Sequence, residues 1–324
     1  MCCAGICPLC KIPGGRKVAD RIYDIGIVGG GPAGLTAALY ARRAGRSVFL
    51  AEEALPGGQI TASPAVENYP GVRSMDGIAY AACLSEQVRA LGVEPTTVRV
   101  ERVCDEGKHK LLLSADGGQR CRALILATGS RYRRLSLPGE EELTGHGLSY
   151  CATCDGAFFR DRRVAVCGGG NSALTEALFL SDLCAEVFLI HRRDRFRGEA
   201  YLLERLRARA NVRILTDCRI VALDAARPLS GVTLEQGQDR TRSHLALDGL
   251  FIAIGRIPGT EAFRTLVQLD DGGYIAAGED CRTSCAGVFA AGDCRSKPLR
   301  QLVTATGDGA VAATAACAYL DGVR

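Results

Sequence analysis

Two cysteines separated by two residues, Cys151 and Cys154, stand directly before a carboxylate, Asp155, near the middle of the chain. Such a pair occurs as a redox disulfide, as half of a zinc site or by coincidence. Redox exchange needs a thiolate, and an acid beside the pair can protonate the leaving sulfur and later reclaim the proton. A zinc site needs a second pair, and the other C-x-x-C, at Cys7 and Cys10, lies far away in sequence. The pattern favours thiol–disulfide chemistry, with Cys151, Cys154 and Asp155 as candidate catalytic residues.

A glycine-rich turn over 29–34 precedes the cysteine pair. It lies between a predicted buried strand, 22–28, and a predicted helix, 35–44, and a second predicted strand ends at Glu52. In a G-x-G-x-x-G turn the first glycine makes the tight turn, the second lets the backbone approach a pyrophosphate, and the third lets helix and strand pack closely. The helix N-terminus faces the phosphates, and Glu52 can accept both hydrogen bonds of a ribose diol. The predicted dinucleotide site consists of Gly29, Gly31, Pro32, Ala33, Gly34 and Glu52.

A second turn of this type, 168–173, follows the pair, between a predicted strand over 164–167 and a predicted helix over 174–183. Counted from the first glycine of each turn, His191 takes the place of Glu52, and arginines follow it. Guanidinium groups pair with a 2′-phosphate, which a carboxylate would repel. This site is therefore predicted to bind NADP(H), and the first a nucleotide without that phosphate; the alternative is a solvated basic strand end. The predicted residues are Gly168, Gly170, Asn171, Ser172, Ala173, His191, Arg192, Arg193 and Arg197.

Length and composition agree with a two-domain α/β protein. The 324 residues suffice for two domains with proper cores, and the net charge of +4 points to neither a nucleic-acid nor a membrane partner. There is no apolar run of transmembrane length, and the first twenty residues lack the apolar core of a secretory signal. The 16 cysteines are scattered through predicted strands and helices, so we expect most to be buried small hydrophobes in a reducing, cytoplasmic compartment.

The order of the elements predicts one nucleotide-binding domain inserted into another. Two segments, 124–129 and 250–255, each read as a buried strand that closes on glycine, and we expect them to be the connections into and out of the inserted domain. A further strand ending at Gly292 and Asp293 and a tail helix over 304–320 are expected to complete the first domain.

From about Tyr23 onward, the chain resembles a known family: the low-molecular-weight, bacterial-type thioredoxin reductases, class II pyridine nucleotide-disulfide oxidoreductases. The ordered set of motifs carries the resemblance. These motifs are 29–34, 57–59, 67–71, 127–129, 151–156, 168–173, 191–197, 292–293 and 300–301.

The resemblance implies a homodimeric, NADPH-dependent enzyme that passes electrons through FAD and the cysteine pair to the disulfide of thioredoxin or a thioredoxin-like protein. FAD would lie along the first turn, with Glu52 on the adenosine ribose, and NADPH along the second. Cys154 would be nearer the flavin, Cys151 would attack thioredoxin, and Asp155 would move the proton. Further FAD-binding residues would be Gly58, Gln59, Asn68, Thr128, Gly129, Gly292, Asp293, Arg300 and Gln301.

The implied fold is α/β, with two Rossmann-like three-layer domains and the NADPH domain inserted into the FAD domain. The implied segments are a flexible N-terminal extension over 1–20, the FAD domain over 21–130 and 256–324, and the NADPH domain, carrying the cysteine pair, over 131–255. In the family the inserted domain rotates about its two connections, here expected near 127–129 and 255–257.

Some alternatives stay open. A relative on the same scaffold could take electrons from ferredoxin or another donor, or oxidise dithiols with oxygen, and a non-catalytic dinucleotide sensor would keep the fold alone. Where family members often have two glutamates after the second turn, this chain has Thr175 and Glu176. The cysteines of the extension could bind zinc or a cluster, form a second thiol relay, or belong to a flexible tail, which we favour; they are Cys2, Cys3, Cys7 and Cys10.

Overall fold

The computed structural model describes residues 17–63, 65–224, 226–237 and 239–322. The chain divides into two compact units. One holds the residues up to Arg131 and those from Pro258 onward, and the other spans Tyr132–Ile257. The second unit therefore interrupts the first in sequence. The predictions for the N-terminal cysteines, Cys2, Cys3, Cys7 and Cys10, lie outside the described residues.

The helices are α1 (Pro32–Arg43), α2 (Gly77–Ala90), α3 (Glu140–Leu143), α4 (Ala152–Asp155), α5 (Asn171–Ser181), α6 (Ala200–Arg207) and α7 (Leu302–Gly322). The strands of the first unit are β1 (Val18–Val28), β2 (Val48–Glu52), β3 (Thr96–Thr97), β4 (Val100–Asp105), β5 (Lys110–Ser114), β6 (Gly118–Leu126) and β17 (Val288–Ala290). Those of the second are β8 (Leu148–Ser149), β9 (Arg163–Gly168), β10 (Glu186–Ile190), β11 (Val212–Leu215), β12 (Cys218–Leu223), β13 (Gly231–Gln236), β14 (Thr241–Ala246) and β15 (Gly249–Ala253). No helix in the described part of the chain combines the length and the apolar character needed to cross a membrane.

The first unit is built on a seven-stranded sheet in the order β3-β2-β1-β6-β5-β4, with β17 also paired to β6. β1 pairs in parallel with β2 and β6, and β17 pairs in parallel with β6. β4, β5 and β6 pair in antiparallel fashion. Because β17 follows the second unit in sequence, this sheet joins the two separate stretches of the first unit.

Alternate residues of the central strand β1 face opposite cores. Ile25 and Ile27 lie in one cluster with residues of α1, α2 and α7. Val28 lies in another cluster, with Phe263 and Ile275. All five side chains are at most 6% exposed. Because both faces of the sheet are covered here, the buried ends of β1 and β6, residues 25–28 and 123–126, read in sequence as continuous apolar runs rather than as an alternating pattern.

The second unit has a five-stranded parallel sheet in the order β11-β10-β9-β15-β8, beside an antiparallel three-stranded sheet, β12-β13-β14. Val164 and Val166 of β9 pack with α5 and α6, whereas Ala165 packs with residues of the three-stranded sheet. The prediction of an α/β fold with two parallel-sheet units, one inserted into the other, is confirmed.

Both helices that follow the glycine-rich turns begin three residues earlier than predicted, α1 at Pro32 and α5 at Asn171. The last residues of each turn form the first turn of the helix instead of leading up to it. Proline suits the first helical position, because its missing N–H has no intrahelical partner there. Each glycine-rich turn is therefore itself a helix N-terminus.

The chain passes between the units through two short strands that pair with each other, β7 (Ser130–Tyr132) and β16 (Arg256–Pro258). The Arg256 guanidinium lies 4.2 Å from the centre of the Tyr132 ring and donates a hydrogen bond to its hydroxyl. The Tyr132 ring in turn stacks on Tyr150, with 4.9 Å between ring centres. That the connections near 127–129 and 255–257 act as hinges stays a prediction.

Candidate active site

Cys151 and Cys154 form a disulfide at the start of the short helix α4. Cys151 is the N-cap, and its carbonyl oxygen accepts hydrogen bonds from the backbone N–H groups of Cys154 (3.2 Å) and Asp155 (3.1 Å). Cys154 is exposed and Cys151 is half-buried. The helical turn thus holds both cysteines and Asp155 in one compact group.

Asp155 is linked to Cys151 through Ser149, a residue that the sequence analysis did not single out. The Ser149 hydroxyl donates to Asp155 Oδ2 at 2.5 Å and accepts the Cys151 backbone N–H at 3.0 Å. Burial raises the pKa of Asp155, and the hydrogen bond from Ser149 partly opposes this. The Asp155 carboxyl group therefore holds its proton to a higher pH than usual, and two hydrogen bonds through Ser149 connect it to Cys151. Such a group is suited to a proton-transfer role. The only signal in the sequence is that Ser149 is a hydroxyl residue two positions before Cys151.

The first glycine-rich turn leaves its helix N-terminus open. Gly31 caps α1 without a side-chain hydrogen bond, and a Cβ added there would meet no atom within 4 Å. At Gly34 a Cβ would lie 1.8 Å from the Gly29 carbonyl oxygen, so only glycine lets helix and strand pack this closely. Open amides at the end of a 12-residue helix fit a pyrophosphate.

Glu52 is fixed against this turn. Its Oε2 accepts the Gly30 backbone N–H at 2.5 Å, and its Oε1 accepts the Ala54 N–H at 3.0 Å. Each carboxylate oxygen retains a lone pair for a further donor. The side chain predicted to bind a ribose therefore lies at the edge of the turn predicted to bind the phosphates.

Of the other residues predicted to bind the first cofactor, Gly58 and Gly292 contact the same turn. A Cβ at Gly58 would lie 3.3 Å from Gly31, and one at Gly292 would lie 2.9 Å from the Ala33 side chain. The Asn68 amide donates to Gln301 Oε1 at 3.2 Å. Thr128 precedes Gly129 and donates its hydroxyl to the Gly259 carbonyl at 2.6 Å. The Arg300 guanidinium lies 4.0 Å from the Tyr274 ring centre and 3.5 Å from the Asp293 carbonyl, and Gln59 is exposed in the 3-10 helix Gly58–Ala62.

Asp308 of α7 anchors the Gly292 turn, and the sequence analysis did not identify it. Its Oδ2 accepts the Gly292 N–H at 2.9 Å. The Arg295 guanidinium donates from Nε to Oδ2 and from Nη2 to Oδ1, both at 2.8 Å. Lys297 adds a further bond at 2.8 Å. The available signal is an acid in the middle of a largely apolar helix, because an acid at such a position is rarely buried without a partner.

The second glycine-rich turn has the same open geometry. Gly170 caps α5 without a side-chain hydrogen bond, and a Cβ there would meet no atom within 4 Å. A Cβ at Gly168 would lie 2.3 Å from the Ala253 carbonyl oxygen and 2.7 Å from the Ala173 Cβ. Ser172 is exposed in the first turn of the helix. These residues fit a second dinucleotide.

His191 packs against this turn as Glu52 does against the first. A Cβ at Gly169 would overlap the His191 ring, which stacks on Phe196 with 4.8 Å between ring centres. Its Nε2 is 3.1 Å from the Arg195 carbonyl oxygen. Burial, followed by the neighbouring arginines, lowers the pKa of His191, so the ring is neutral at neutral pH. The neutral ring therefore packs between Gly169 and Phe196 directly after β10.

The arginines after His191 are exposed, and within the described residues no carboxylate pairs with Arg192, Arg193 or Arg197. The Arg197 N–H donates to the Gly169 carbonyl at 2.8 Å, which ties the arginine segment to the glycine-rich turn. Asn171 exchanges two hydrogen bonds with Glu199, at 2.8 and 2.9 Å, and fastens the same segment to α5. Three guanidinium groups without an acidic partner beside an open helix N-terminus fit a phosphorylated ribose.

Comparison of the sequence and the structure with known proteins identifies the family of this chain. The model of the pyridine nucleotide-disulphide oxidoreductase family matches residues 23–309. The thioredoxin reductase of Listeria monocytogenes is 39% identical over 306 residues, 94% of this chain and 96% of the relative, and that of Mycolicibacterium smegmatis is 42% identical over 298 residues, 91% and 96%. The crystal structure of thioredoxin reductase from Streptococcus pyogenes matches with a TM-score of 0.90 at 39% identity, covering 94% of this chain and all of the other. The chain belongs to the pyridine nucleotide-disulphide oxidoreductase family, among the thioredoxin reductases, and so to enzymes that use a flavin and a pyridine nucleotide.

Proposed function

We propose that the chain is an NADPH-dependent thioredoxin-disulfide reductase. The overall reaction transfers two electrons and one proton from NADPH, with one proton from solvent, to the disulfide of thioredoxin or a thioredoxin-like protein, giving NADP⁺ and the dithiol. The observation that carries the proposal is the Cys151–Cys154 disulfide followed by a half-buried Asp155, in a chain that shares about 40% identity with thioredoxin reductases.

FAD is the proposed resident cofactor. The open N-terminus of α1, Glu52 at its edge and the Gly292 turn packed on Ala33 would hold its phosphates and ribose. A bound flavin accepts two electrons from a nicotinamide and hands them on as a pair.

NADPH rather than NADH is the proposed donor because of the three unpaired guanidinium groups that follow His191. They would be left as a cluster of like charges without a 2′-phosphate to neutralise them. The first site has the Glu52 carboxylate at the corresponding place, which would repel a 2′-phosphate. The first site would therefore bind FAD and the second NADPH.

The cysteine pair would perform the exchange with the protein substrate. In the reduced pair, the Cys151 thiolate attacks one sulfur of the partner disulfide, and the partner's other sulfur leaves and takes a proton from Asp155. Cys154 then gives its proton to Asp155 and attacks the Cys151 sulfur; the partner sulfur that leaves takes this proton, so the partner is freed as a dithiol and the Cys151–Cys154 disulfide is restored. The Ser149 hydroxyl keeps Asp155 beside the pair through both steps.

The first test is anaerobic titration of the purified flavoprotein with NADPH and, in parallel, with NADH, followed by flavin absorbance. Bleaching by NADPH at far lower concentration than NADH, followed by re-oxidation with oxidised thioredoxin, is the expected result. Bleaching by neither nucleotide would contradict the proposal and turn attention to a ferredoxin-type donor or to oxygen-dependent dithiol oxidation. We also propose a homodimer in a reducing, cytoplasmic compartment, and light scattering on a sizing column would test the oligomeric state.

A further inference from the structure

Glu176, on α5, lies against the redox helix α4 and is not used in the exchange steps described above. Its carboxyl group accepts the backbone N–H of Ala152, the residue that directly follows Cys151. Ala152 is completely buried. A carboxyl group is therefore separated from the Cys151 main chain by one hydrogen bond and one peptide unit.

The second oxygen of this carboxyl group is poorly accommodated as an anion. Oε2 is buried and has no hydrogen-bond partner among the residues that the structure describes. A buried carboxylate oxygen without a donor is costly, and protonation removes the charge that makes it so. Burial raises the pKa of Glu176 to about 7, although the Ala152 hydrogen bond and the Arg256 charge oppose the rise. Near neutral pH this group is balanced between its neutral and its charged form.

The charge of Glu176 matters to the cysteine pair because the reactive form of the pair is also an anion. A carboxylate one hydrogen bond from the Cys151 main chain disfavours a thiolate in the pair, whereas the neutral acid does not. With an effective dielectric constant of about 20, a unit charge about 10 Å away changes the pKa of a thiol by about one unit, or about tenfold in thiolate population. When the disulfide takes up two electrons and one proton, a neutral Glu176 accommodates the thiolate that remains.

We propose that Glu176 is a positioning residue of the redox centre, whose carboxyl group fixes the Ala152 amide and whose charge state controls the thiolate population of the reduced Cys151–Cys154 pair. This rests on the proposed function in so far as the pair is the redox centre. Thiol attack on the protein substrate then slows as Glu176 ionises, which adds a second acid to the centre beside Asp155.

The test compares the wild-type flavoprotein with Glu176→Gln, which keeps the shape of the side chain and an acceptor for the Ala152 amide but removes the charge. Both are reduced with dithiothreitol, freed of it under anaerobic conditions and alkylated with iodoacetamide between pH 5.5 and 8. Mass spectrometry then gives the alkylation rate of Cys151 and Cys154. Glu204→Gln, which removes an exposed carboxylate from α6 of the same unit, is the matched control.

We expect the rate ratio of Glu176→Gln to wild type to be near one at pH 5.5, where Glu176 is neutral, and to rise to about three- to tenfold at pH 8, where it is charged. Glu204→Gln should keep a ratio near one throughout. A ratio for Glu176→Gln that differs from one by the same factor at every pH would mean a packing role alone, and a ratio of one throughout would mean no role; either overturns the proposal.

A second variant tests the same charge without touching Glu176. Arg256→Gln removes the positive charge that lowers the pKa of Glu176, so the slowing of alkylation should begin at a higher pH than in the wild type. An unchanged profile contradicts the inference. Because dithiothreitol reduces the pair in all these samples, the outcome does not depend on the nucleotide donor: failure of NADPH or thioredoxin to react with the wild type would defeat the proposed function, whereas a flat ratio would defeat only the role of Glu176.

Discussion

Ser149 connects an acid, Asp155, to the main chain of the cysteine pair. Ser149 joins the Cys151 amide to Asp155, and burial raises the pKa of Asp155 against the effect of that hydroxyl. The carboxyl group of Asp155, the residue that directly follows Cys154, is thereby kept protonated to a higher pH than that of an exposed aspartate. Two sulfurs with different exposure complete the group, since Cys154 is exposed and Cys151 is half-buried.

Replacing Cys151 with serine separates the two halves of the reaction. We expect Cys151→Ser to retain flavin reduction by NADPH while thioredoxin turnover falls by at least about a thousandfold, because the attacking thiolate is lost. Stopped-flow absorbance and a coupled thioredoxin assay measure the two halves. A matched replacement, Cys83→Ser, changes an exposed free cysteine of the first unit and should alter neither. Loss of flavin reduction in Cys151→Ser would contradict the assigned role.

Removing the Ser149 hydroxyl should change the pH dependence of turnover. Because its hydrogen bond lowers the pKa of Asp155, Ser149→Ala raises that pKa further, and the alkaline limb of kcat/KM for thioredoxin moves to higher pH. Asp155→Asn should instead lose about 10²- to 10⁴-fold in activity at all pH values. Ser181→Ala, which removes a buried hydroxyl bonded to the Leu178 carbonyl, is the control and should leave the limb in place. A shift of the limb to lower pH in Ser149→Ala would refute this assignment.

At this scale the sequence identifies residues by type and spacing but does not identify their partners. Cys151, Cys154 and Asp155 are contiguous, so their association follows from the chain itself. Asp308 meets Gly292 across 16 residues, and Glu176 meets Ala152 only because α4 packs on α5. Contacts of this kind depend on the tertiary structure, which a single sequence does not contain.

Among the elements, the two glycine-rich turns have the same geometry, but the residue at the end of the following strand is acidic in one and an imidazole in the other. In each, a residue at the end of the second strand packs on the turn, Glu52 on Gly30 and His191 on Gly169. The sequence predicted the strands and helices next to both turns, because buried parallel strands and the helices that pack on them leave a clear apolar pattern. It misplaced the helix starts by three residues, because a turn that binds phosphate and a first helical turn have the same composition.

The end of β10 should determine which nucleotide donates electrons. Replacing Arg192 and Arg193 together with alanine should weaken NADPH by about 10²-fold and NADH by less than about threefold, because charge-assisted bonds to a phosphate contribute roughly 1.5–3 kcal/mol and only NADPH carries the 2′-phosphate. Steady-state KM and kcat with each nucleotide give the comparison. Arg195→Ala removes a neighbouring guanidinium that lies 3.9 Å from Asp194 and serves as the control. Equal losses for the two nucleotides would remove the argument for NADPH.

For the whole molecule, the inserted unit divides the first unit into two stretches of chain. The fold of the first unit therefore depends on contacts between segments that are far apart in sequence. α7 packs across α1, where a Cβ at Gly309 would lie 2.3 Å from the Ala33 carbonyl oxygen, and β17 pairs with β6. The sequence predicted that the tail strand and helix return to complete the first domain. The buried charges that fasten this closure were not predicted.

Asp308 should be the residue on which this closure depends most. Burial alone would raise its pKa, but hydrogen bonds from Arg295 and Lys297 outweigh burial and lower the pKa of Asp308 below its ordinary value of 3.8. A carboxyl group whose pKa is lower in the folded than in the unfolded protein stabilises the fold fully at any pH above its unfolded-state pKa. This stabilisation is lost only as the pH falls through the folded-state pKa, so the contribution of Asp308 is complete at pH 7. Asp308→Asn leaves Arg295 and Lys297, whose side chains are at most 3% exposed, without their carboxylate.

We therefore expect Asp308→Asn to lower the free energy of unfolding of the first unit by about 3–5 kcal/mol at pH 7. Urea unfolding followed by flavin fluorescence measures it, because the Gly292 turn that Asp308 holds lies in the proposed flavin site. Asp321→Asn is the matched control: it removes an acid from the same helix whose partner is Arg46 and whose side chain is 54% exposed, and it should cost less than about 1 kcal/mol. Similar losses in the two variants would show that the buried network does not hold the two stretches of the first unit together.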